Sequence, residues 1–190
     1  MATVSHSHVE RVADQTALRI AHPLPLGFVG LAVASFAFAT LQLGWIGIAE
    51  GRTVALAVLF FTVPLQLLAS VAGFLRAELA AATGMAVLAG TWAAITLSTL
   101  SAQPGATSKG LGVVLCAAAV AMLVPAAAGL AQPWAAAVMV AAGVRFAATA
   151  GYELTATKGW QHAAGWVGLI AALLGYAVAL LLTLGVLEGE

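Results

Sequence analysis

One arginine stands at the end of the longest charge-free run in the sequence. Arg145 follows a run from Gly110 to Val144 that holds no Asp, Glu, Lys or Arg, and the next charged residue along the chain is Glu153. A guanidinium in such surroundings is typical of a site that holds an anion, because it presents a planar fork of N–H donors and stays positively charged. The residue type therefore indicates recognition of an anionic solute.

Two structural roles compete with anion binding for Arg145. The long side chain can extend along its helix to reach a membrane interface, or it can pair with Glu153. Eight residues of helix place Glu153 about 80° around the axis from Arg145, so that pairing requires a long side-chain reach. The sequence leaves both roles open.

Mildly polar side chains recur at helical spacing in other apolar stretches. Steps of three or four residues put them on one helix face together with large apolar groups. The four stripes are Phe28, Leu31, Ser35, Phe38, Gln42 and Trp45; Leu59, Thr62, Gln66 and Ser70; Gly84, Leu88, Thr91, Ile95 and Ser98; and His162, Trp166, Leu169, Leu173, Tyr176, Leu180 and Thr183. This mixture favours a narrow pathway for a small, partly apolar solute over an ion channel, which uses rings of charges or carbonyls. Hydrogen bonding between neighbouring helices is the alternative for any single polar residue.

The elements that must position these groups are membrane-spanning helices. Of the 190 residues, 63% are hydrophobic and 7% are charged, whereas a soluble domain carries about 25% charged residues. Charge-free stretches long enough for a span of about 20 residues follow one another along the chain, and the stretch from 110 to 144 is divided at Gln132-Pro133. We therefore predict an all-α membrane protein with six spans, the fourth near 111–130 and the fifth near 133–151.

The six-span domain is predicted over residues 22–187, between two short tails. The N-terminal tail, residues 1–21, lacks the apolar core of a signal peptide, and one side of it suits a short interfacial helix. Residues 188–190 form the C-terminal tail. The single cysteine, Cys116, excludes an internal disulfide and a multi-cysteine metal site.

An enzyme is the least favoured class. The sequence shows no metal-ligand cluster, no nucleophile–base pair and no phosphate loop, and its seven acidic residues lie almost entirely outside the spans. We expect no metal and no cofactor. The expected partners are the lipid bilayer, a small solute and further copies of the chain, and not a nucleic acid.

Three segments together carry a family resemblance. The first is His22-Pro23-Leu24-Pro25-Leu26-Gly27, whose paired prolines suit the first turn of a helix, where a missing N–H loses no hydrogen bond. The second combines Gln66 with Thr91-Trp92, and the third is His162-Ala163-Ala164-Gly165-Trp166-Val167-Gly168-Leu169. They resemble the acetate uptake transporter family, which has Asn-Pro-x-Pro-Leu-Gly at the mouth of span one, a glutamine in span two, an aromatic-Trp run in span three and His-x-Ala-Gly-Trp-x-Gly-Leu in span six. The matched motif residues are His22, Pro23, Pro25, Gly27, Trp92, His162, Gly165, Trp166 and Gly168.

The resemblance implies a six-helix bundle that assembles as a homohexamer in the plasma membrane, with one pathway for small carboxylates in each subunit. Family pathways are narrowed by large apolar side chains on spans one, three and five, at positions that align with Leu31, Leu88 and Ala142. Gln66 and Thr91 would then be polar neighbours of the constriction. The pathway residues expected from the stripes and the resemblance together are Leu31, Ser35, Gln42, Gln66, Leu88, Thr91, Ala142 and Arg145.

The chain also departs from the family pattern. Arg145 stands where family members usually have an apolar residue, and His22 replaces the asparagine that opens the first motif. The function expected is the passage of a small monocarboxylate such as acetate, with succinate as a further candidate. Two other functions fit the same residues: a pore for a neutral solute such as ammonia or urea, with a structural Arg145, and a membrane scaffold without transport.

Overall fold

The computed structural model describes residues 21–187, and their regular structure is helical. The α-helices are α1 (Leu24–Gln42), α2 (Gly51–Leu75), α3 (Leu79–Ser101), α4 (Lys109–Ala121), α5 (Leu123–Ala128), α6 (Pro133–Thr155) and α7 (Lys158–Thr183). One short 3₁₀ turn, Ile48–Glu50, precedes α2. The interfacial helix predicted in the N-terminal tail lies outside the described residues, as does the C-terminal tail at 188–190.

The predicted six spans are confirmed. Six stretches of the described chain are long and apolar enough to cross a membrane, and the fourth, Lys109–Ala128, consists of α4 and α5 together. The break between α4 and α5 has a local cause in Pro125, whose ring clashes with the carbonyl of the residue four positions earlier, Ala121, the last residue of α4. The fourth span is therefore interrupted at Met122, between α4 and α5.

The boundaries of two other spans follow from local chemistry. α1 begins at the proline pair as predicted, with Pro23 at the N-cap and Pro25 in the first turn. α6 extends to Thr155, beyond the predicted end at 151, because the charge of Glu153 does not interrupt a helix. The helix ends instead where Ala156 adopts a left-handed conformation with φ of 53°.

The six spans form a ring in chain order, in which α7 closes against α1. The first, third and fifth spans lie towards the centre. They are the helices α1, α3 and α6, and α1 contacts both α3 and α6. Buried residues make up 61%, 56% and 61% of the most apolar stretches of these three spans, against 33%, 39% and 39% in the second, fourth and sixth spans. The helices α1, α3 and α6 therefore form the buried centre of the bundle.

Small residues bring the helix backbones close together, as is typical of helices that pack in lipid. A Cβ added to Gly175 on α7 would lie 3.2 Å from the carbonyl oxygen of Phe28 on α1. A Cβ added to Gly73 on α2 would lie 2.9 Å from the backbone nitrogen of Ala82 on α3. These contacts fix the outer helices against the central three.

Candidate functional site

A cavity of about 120 Å³ opens at the end of the bundle where α1, α3 and α6 finish. We call it the vestibule. Its rim comes from the connections that follow α1 and α3 and from the first residues of α7. Its deepest lining residues are Phe38, Gln42, Ile95 and Thr149, which belong to the three central helices.

Arg145 lies one helical turn below Thr149 and is 2% exposed. Its Nη1 donates hydrogen bonds to the hydroxyl of Thr149 (2.7 Å) and to the carbonyl oxygen of Ala164 on α7 (2.9 Å). Within the described residues, the ion pairs involve only His22, Arg76 and Glu78, so no carboxylate faces Arg145. The arginine therefore carries a buried positive charge that residues 21–187 do not neutralise.

Both structural roles considered for Arg145 are excluded by this placement. The side chain does not reach a membrane interface, since it is buried among α1, α6 and α7. Glu153 does not pair with it, because the carboxylate accepts a hydrogen bond from the backbone N–H of Ser108 at 2.7 Å. Glu153 thus fastens the loop before α4 to the rim of the vestibule.

Two glycines of the sixth-span motif explain how Arg145 and Gln42 fit. A Cβ at Gly168 would lie 2.8 Å from Nε of Arg145 and 3.1 Å from the Cβ of Ala39. A Cβ at Gly165 would lie 3.4 Å from the Cβ of Gln42 and closer still to the side chain of Leu43. The motif glycines therefore form a cradle on α7 in which a side chain of α6 and one of α1 are seated.

Three aromatic rings close the bundle beneath the vestibule, one from each central helix. Phe38 of α1 stacks on Trp92 of α3 at a centroid distance of 5.7 Å, and Trp92 meets Phe146 of α6 edge-on at 5.8 Å. We call these three residues the aromatic plug. The sequence placed Phe38 in a stripe and Trp92 in a motif, but Phe146 was missed, because one more apolar residue in an apolar span is not conspicuous.

A second apolar layer lies further from the vestibule on the same three helices. Leu31, Leu88 and Ala142 are each fully buried, four to seven residues before the plug residues of their helices. We call these three the leucine layer. The structure thus gathers in the central helices the positions that the family resemblance aligned with a constriction.

Six buried side-chain atoms make no hydrogen bond to any described residue. They are Ser35 Oγ, Gln42 Oε1, Gln66 Nε2 and Oε1, Trp92 Nε1 and Arg145 Nε. All belong to residues that the sequence singled out as pathway or motif residues. Thr91 differs from them, because its hydroxyl donates to the carbonyl of Val87 on its own helix at 2.7 Å.

The opposite mouth of the bundle is wider and holds paired charges. A cavity of about 760 Å³ is bordered there by His22, Arg76, Glu78 and Trp134. Arg76 Nε and His22 Nε2 both approach the carboxylate of Glu78, the latter at 3.7 Å. Nδ1 of His22 accepts a hydrogen bond from the backbone N–H of Leu24 at 3.4 Å, which caps the start of α1.

The stripe predicted on the sixth span does not line this interior. Trp166 is 57% exposed, and His162, Leu173 and Tyr176 are also exposed. In a single chain this face of α7 points outward, because the glycines on its other face are the ones that pack against α1 and α6. The spacing of three and four residues correctly grouped these side chains on one face of α7. It did not show whether that face points into the bundle or away from it.

The architecture matches a solved membrane protein. The structure of the bacterial acetate channel SatP superposes with a TM-score of 0.75 at 20% sequence identity, covering 90% of this chain and 97% of that one. The chain has the fold of this acetate channel. No protein-family model matches the sequence, and no curated protein matches it either. The likeness therefore establishes a six-span, all-helical membrane fold, as the residues and the resemblance predicted.

Proposed function

We propose that the chain is a membrane channel for small monocarboxylates such as acetate, with one pathway in each chain. The pathway runs from the vestibule past Arg145, through the aromatic plug and the leucine layer, to the opposite mouth. The observation that carries the proposal is the burial of Arg145 without a carboxylate partner in the described chain. The shared fold with an acetate channel supports the same reading.

The electrostatics of Arg145 favour an anion over a neutral solute. Removing a cation from water into a low-dielectric interior costs several kcal/mol, and that cost falls only when an opposite charge or dipoles come close. Thr149 and Ala164 supply two dipoles, both to Nη1. A carboxylate that arrives from the vestibule supplies the missing charge, and its loss of hydration is offset by the guanidinium.

The remaining pathway suits the other end of such a solute. Apart from the indole N–H of Trp92, the plug and the leucine layer are apolar, so a methyl or ethyl group passes them without losing hydrogen bonds. Gln42 and Gln66 add weak polar contacts with unpaired amide atoms. This combination admits a small solute and releases it again, which conduction requires.

Uptake of radiolabelled acetate into proteoliposomes tests the proposal. We expect saturable uptake by the parent protein and at least a tenfold loss in Arg145→Gln, equivalent to about 1.4 kcal/mol of binding. Lys158→Gln is the matched control, because it removes one positive charge from an exposed residue at the start of α7. It should leave the uptake unchanged.

Other outcomes separate the competing functions. Unchanged uptake in Arg145→Gln would remove the arginine from the mechanism. Absence of acetate uptake by the parent, together with osmotic swelling in urea, would replace this proposal with a neutral-solute pore. Absence of any solute flux would favour a membrane scaffold. A competition panel that includes succinate then defines the longest carboxylate that passes.

We further propose that the chain assembles as a homohexamer in the plasma membrane, as the family resemblance implies. The outward stripe of α7 supports self-association through Tyr176, because its exposed hydroxyl gains a hydrogen-bonding partner from a neighbouring chain that lipid tails do not offer. Native mass spectrometry from detergent measures the number of copies directly. A monomer or dimer as the main species would contradict the hexamer without touching the transport proposal.

A further inference from the structure

Trp92 brings the only polar side-chain atom into the aromatic plug. The residue is 1% exposed, and its Nε1 makes no hydrogen bond within the described chain. An indole N–H is a donor only, and a buried one normally finds an acceptor. Leaving such a donor unpaired costs about 1–3 kcal/mol. The position therefore calls for an acceptor that the surrounding residues do not provide.

The neighbours of Trp92 hold the ring in place without offering that acceptor. Phe38 stacks on one side with an interplanar angle of 29°, and Phe146 meets it at 70°. Both contacts are hydrocarbon, so they fix the orientation of the indole and leave its N–H unmatched. Packing against these two rings does not by itself require an N–H at this position.

The plug and the buried charge lie at the same depth in the bundle. Phe146 directly follows Arg145 in the chain. On α1, Phe38 is followed directly by Ala39, which lies next to Gly168 and the guanidinium. Phe38 also lines the vestibule. A solute that descends from the vestibule therefore reaches the charge of Arg145 and the rings of the plug together.

We propose that the indole N–H of Trp92 donates a hydrogen bond to the carboxylate of the solute as it passes the plug. Trp92 is then a specificity-determining residue that favours carboxylates over apolar or cationic solutes of the same size. This inference rests on the proposed function and adds to it one specific contact, in which the protein donates the hydrogen bond and the solute accepts it. Hydrogen bonds to a charged acceptor are worth more than neutral ones, which offsets the penalty of the unpaired donor.

Trp92→Phe tests the donor, because it removes the N–H and keeps an aromatic ring in the plug. We expect the KM for acetate uptake to rise about tenfold, which corresponds to about 1.4 kcal/mol. Trp45→Phe is the matched control, since Trp45 is 57% exposed outside the spans. The control should transport acetate with the kinetics of the parent.

Nuclear magnetic resonance of the indole groups gives a readout that does not depend on transport. The chain has five tryptophans, so protein labelled with ¹⁵N-tryptophan gives five indole signals. Tryptophan-to-phenylalanine variants at the other four positions assign the Trp92 signal by elimination, even if Trp92→Phe does not fold. We expect acetate to move this signal downfield in a saturable manner, with no shift of the Trp45 signal.

The outcomes separate this inference from the proposed function. An unmoved Trp92 signal, together with parent-like acetate uptake by Trp92→Phe, would overturn the role of Trp92 while the channel function stands. Absence of acetate uptake by the parent would overturn the channel function. A saturable shift of the Trp92 signal would in that case still support carboxylate binding at the indole.

Discussion

Arg145 and the charged cluster at the opposite mouth place positive charge in two very different environments. Arg76 lies beside Glu78 at the mouth, where the side chains of both are about a quarter exposed, and His22 approaches the same carboxylate. Arg145 lies 2% exposed in the central helices and faces no carboxylate of the described chain. The first arrangement is a solvated network that ties the start of α1 to the turn between α2 and α3.

The difference lies in what each charge costs the fold. An exposed pair contributes about 0–1 kcal/mol to stability and is easily formed. A buried, unneutralised arginine lowers stability, and the missing side chain of Gly168 on α7 makes room for it. In the proposed function, the solute supplies the opposite charge.

The largest effect is expected from removing the buried charge of Arg145, which would abolish the difference between the two environments. Arg145→Met should lose acetate uptake and at the same time raise the free energy of unfolding, by about 1–4 kcal/mol, because an apolar side chain of similar length removes the desolvation cost. Thermal unfolding followed by tryptophan emission measures the change against the parent in the same detergent. A lower melting temperature would show that Arg145 contributes to the structure of the bundle.

The second effect concerns the cradle that seats the guanidinium. Gly168→Ala places a methyl group 2.8 Å from Nε of Arg145, so we expect the arginine to shift and the KM for acetate to rise several-fold. Gly175→Ala is the matched control, since it also tightens the contact between α7 and α1 but meets the backbone of Phe28 and Ala32 instead of the arginine.

A double-variant comparison shows whether Gly168 acts through Arg145. In an Arg145→Gln background the KM effect of Gly168→Ala should disappear, because the displaced group is no longer charged. Equal effects of the substitutions at 168 and 175 on uptake would indicate that helix packing, and not the position of the arginine, is responsible.

The smallest expected effect lies at the mouth. Glu78→Gln removes the carboxylate from the cluster with Arg76 and His22, and we expect a change in stability of no more than about 1 kcal/mol, since these groups are partly solvated. Acetate uptake should stay within a factor of about two to three, a free energy below 1 kcal/mol. A loss as large as that of Arg145→Gln would mean that the mouth, too, recognises the solute.

Much of the candidate site was predicted from the sequence because membrane helices make polar residues conspicuous. Arg145, Ser35, Gln42 and Gln66 stand out in apolar stretches, and all four carry buried atoms without a partner in the described chain. The sixth-span motif likewise singled out Gly168, and the structure shows that this glycine makes room for the guanidinium of Arg145. Polar residues in apolar spans, and glycines in a motif, can therefore be recognised in the sequence itself.

Apolar groups leave no such signal, which is why the plug had to come from the structure. Phe146 in the plug and Phe60 on the outer surface are both aromatic residues within apolar spans, yet one is fully buried and the other is 76% exposed. A bilayer is as apolar as the interior of the bundle, so sequence composition does not distinguish a face towards lipid from one towards the core. The outward direction of the α7 stripe was missed for the same reason.

The sequence by itself determined six spans, the proline-capped entry of the first and the presence of one arginine among apolar residues. Only the tertiary structure decided that Arg145 has no acidic neighbour in the described chain, that Glu153 is bound to the loop before α4 and that Trp92 keeps a free donor between two phenylalanines. The physical reason is that spacing along one helix defines a face, whereas the partner of that face is set by other helices distant in sequence.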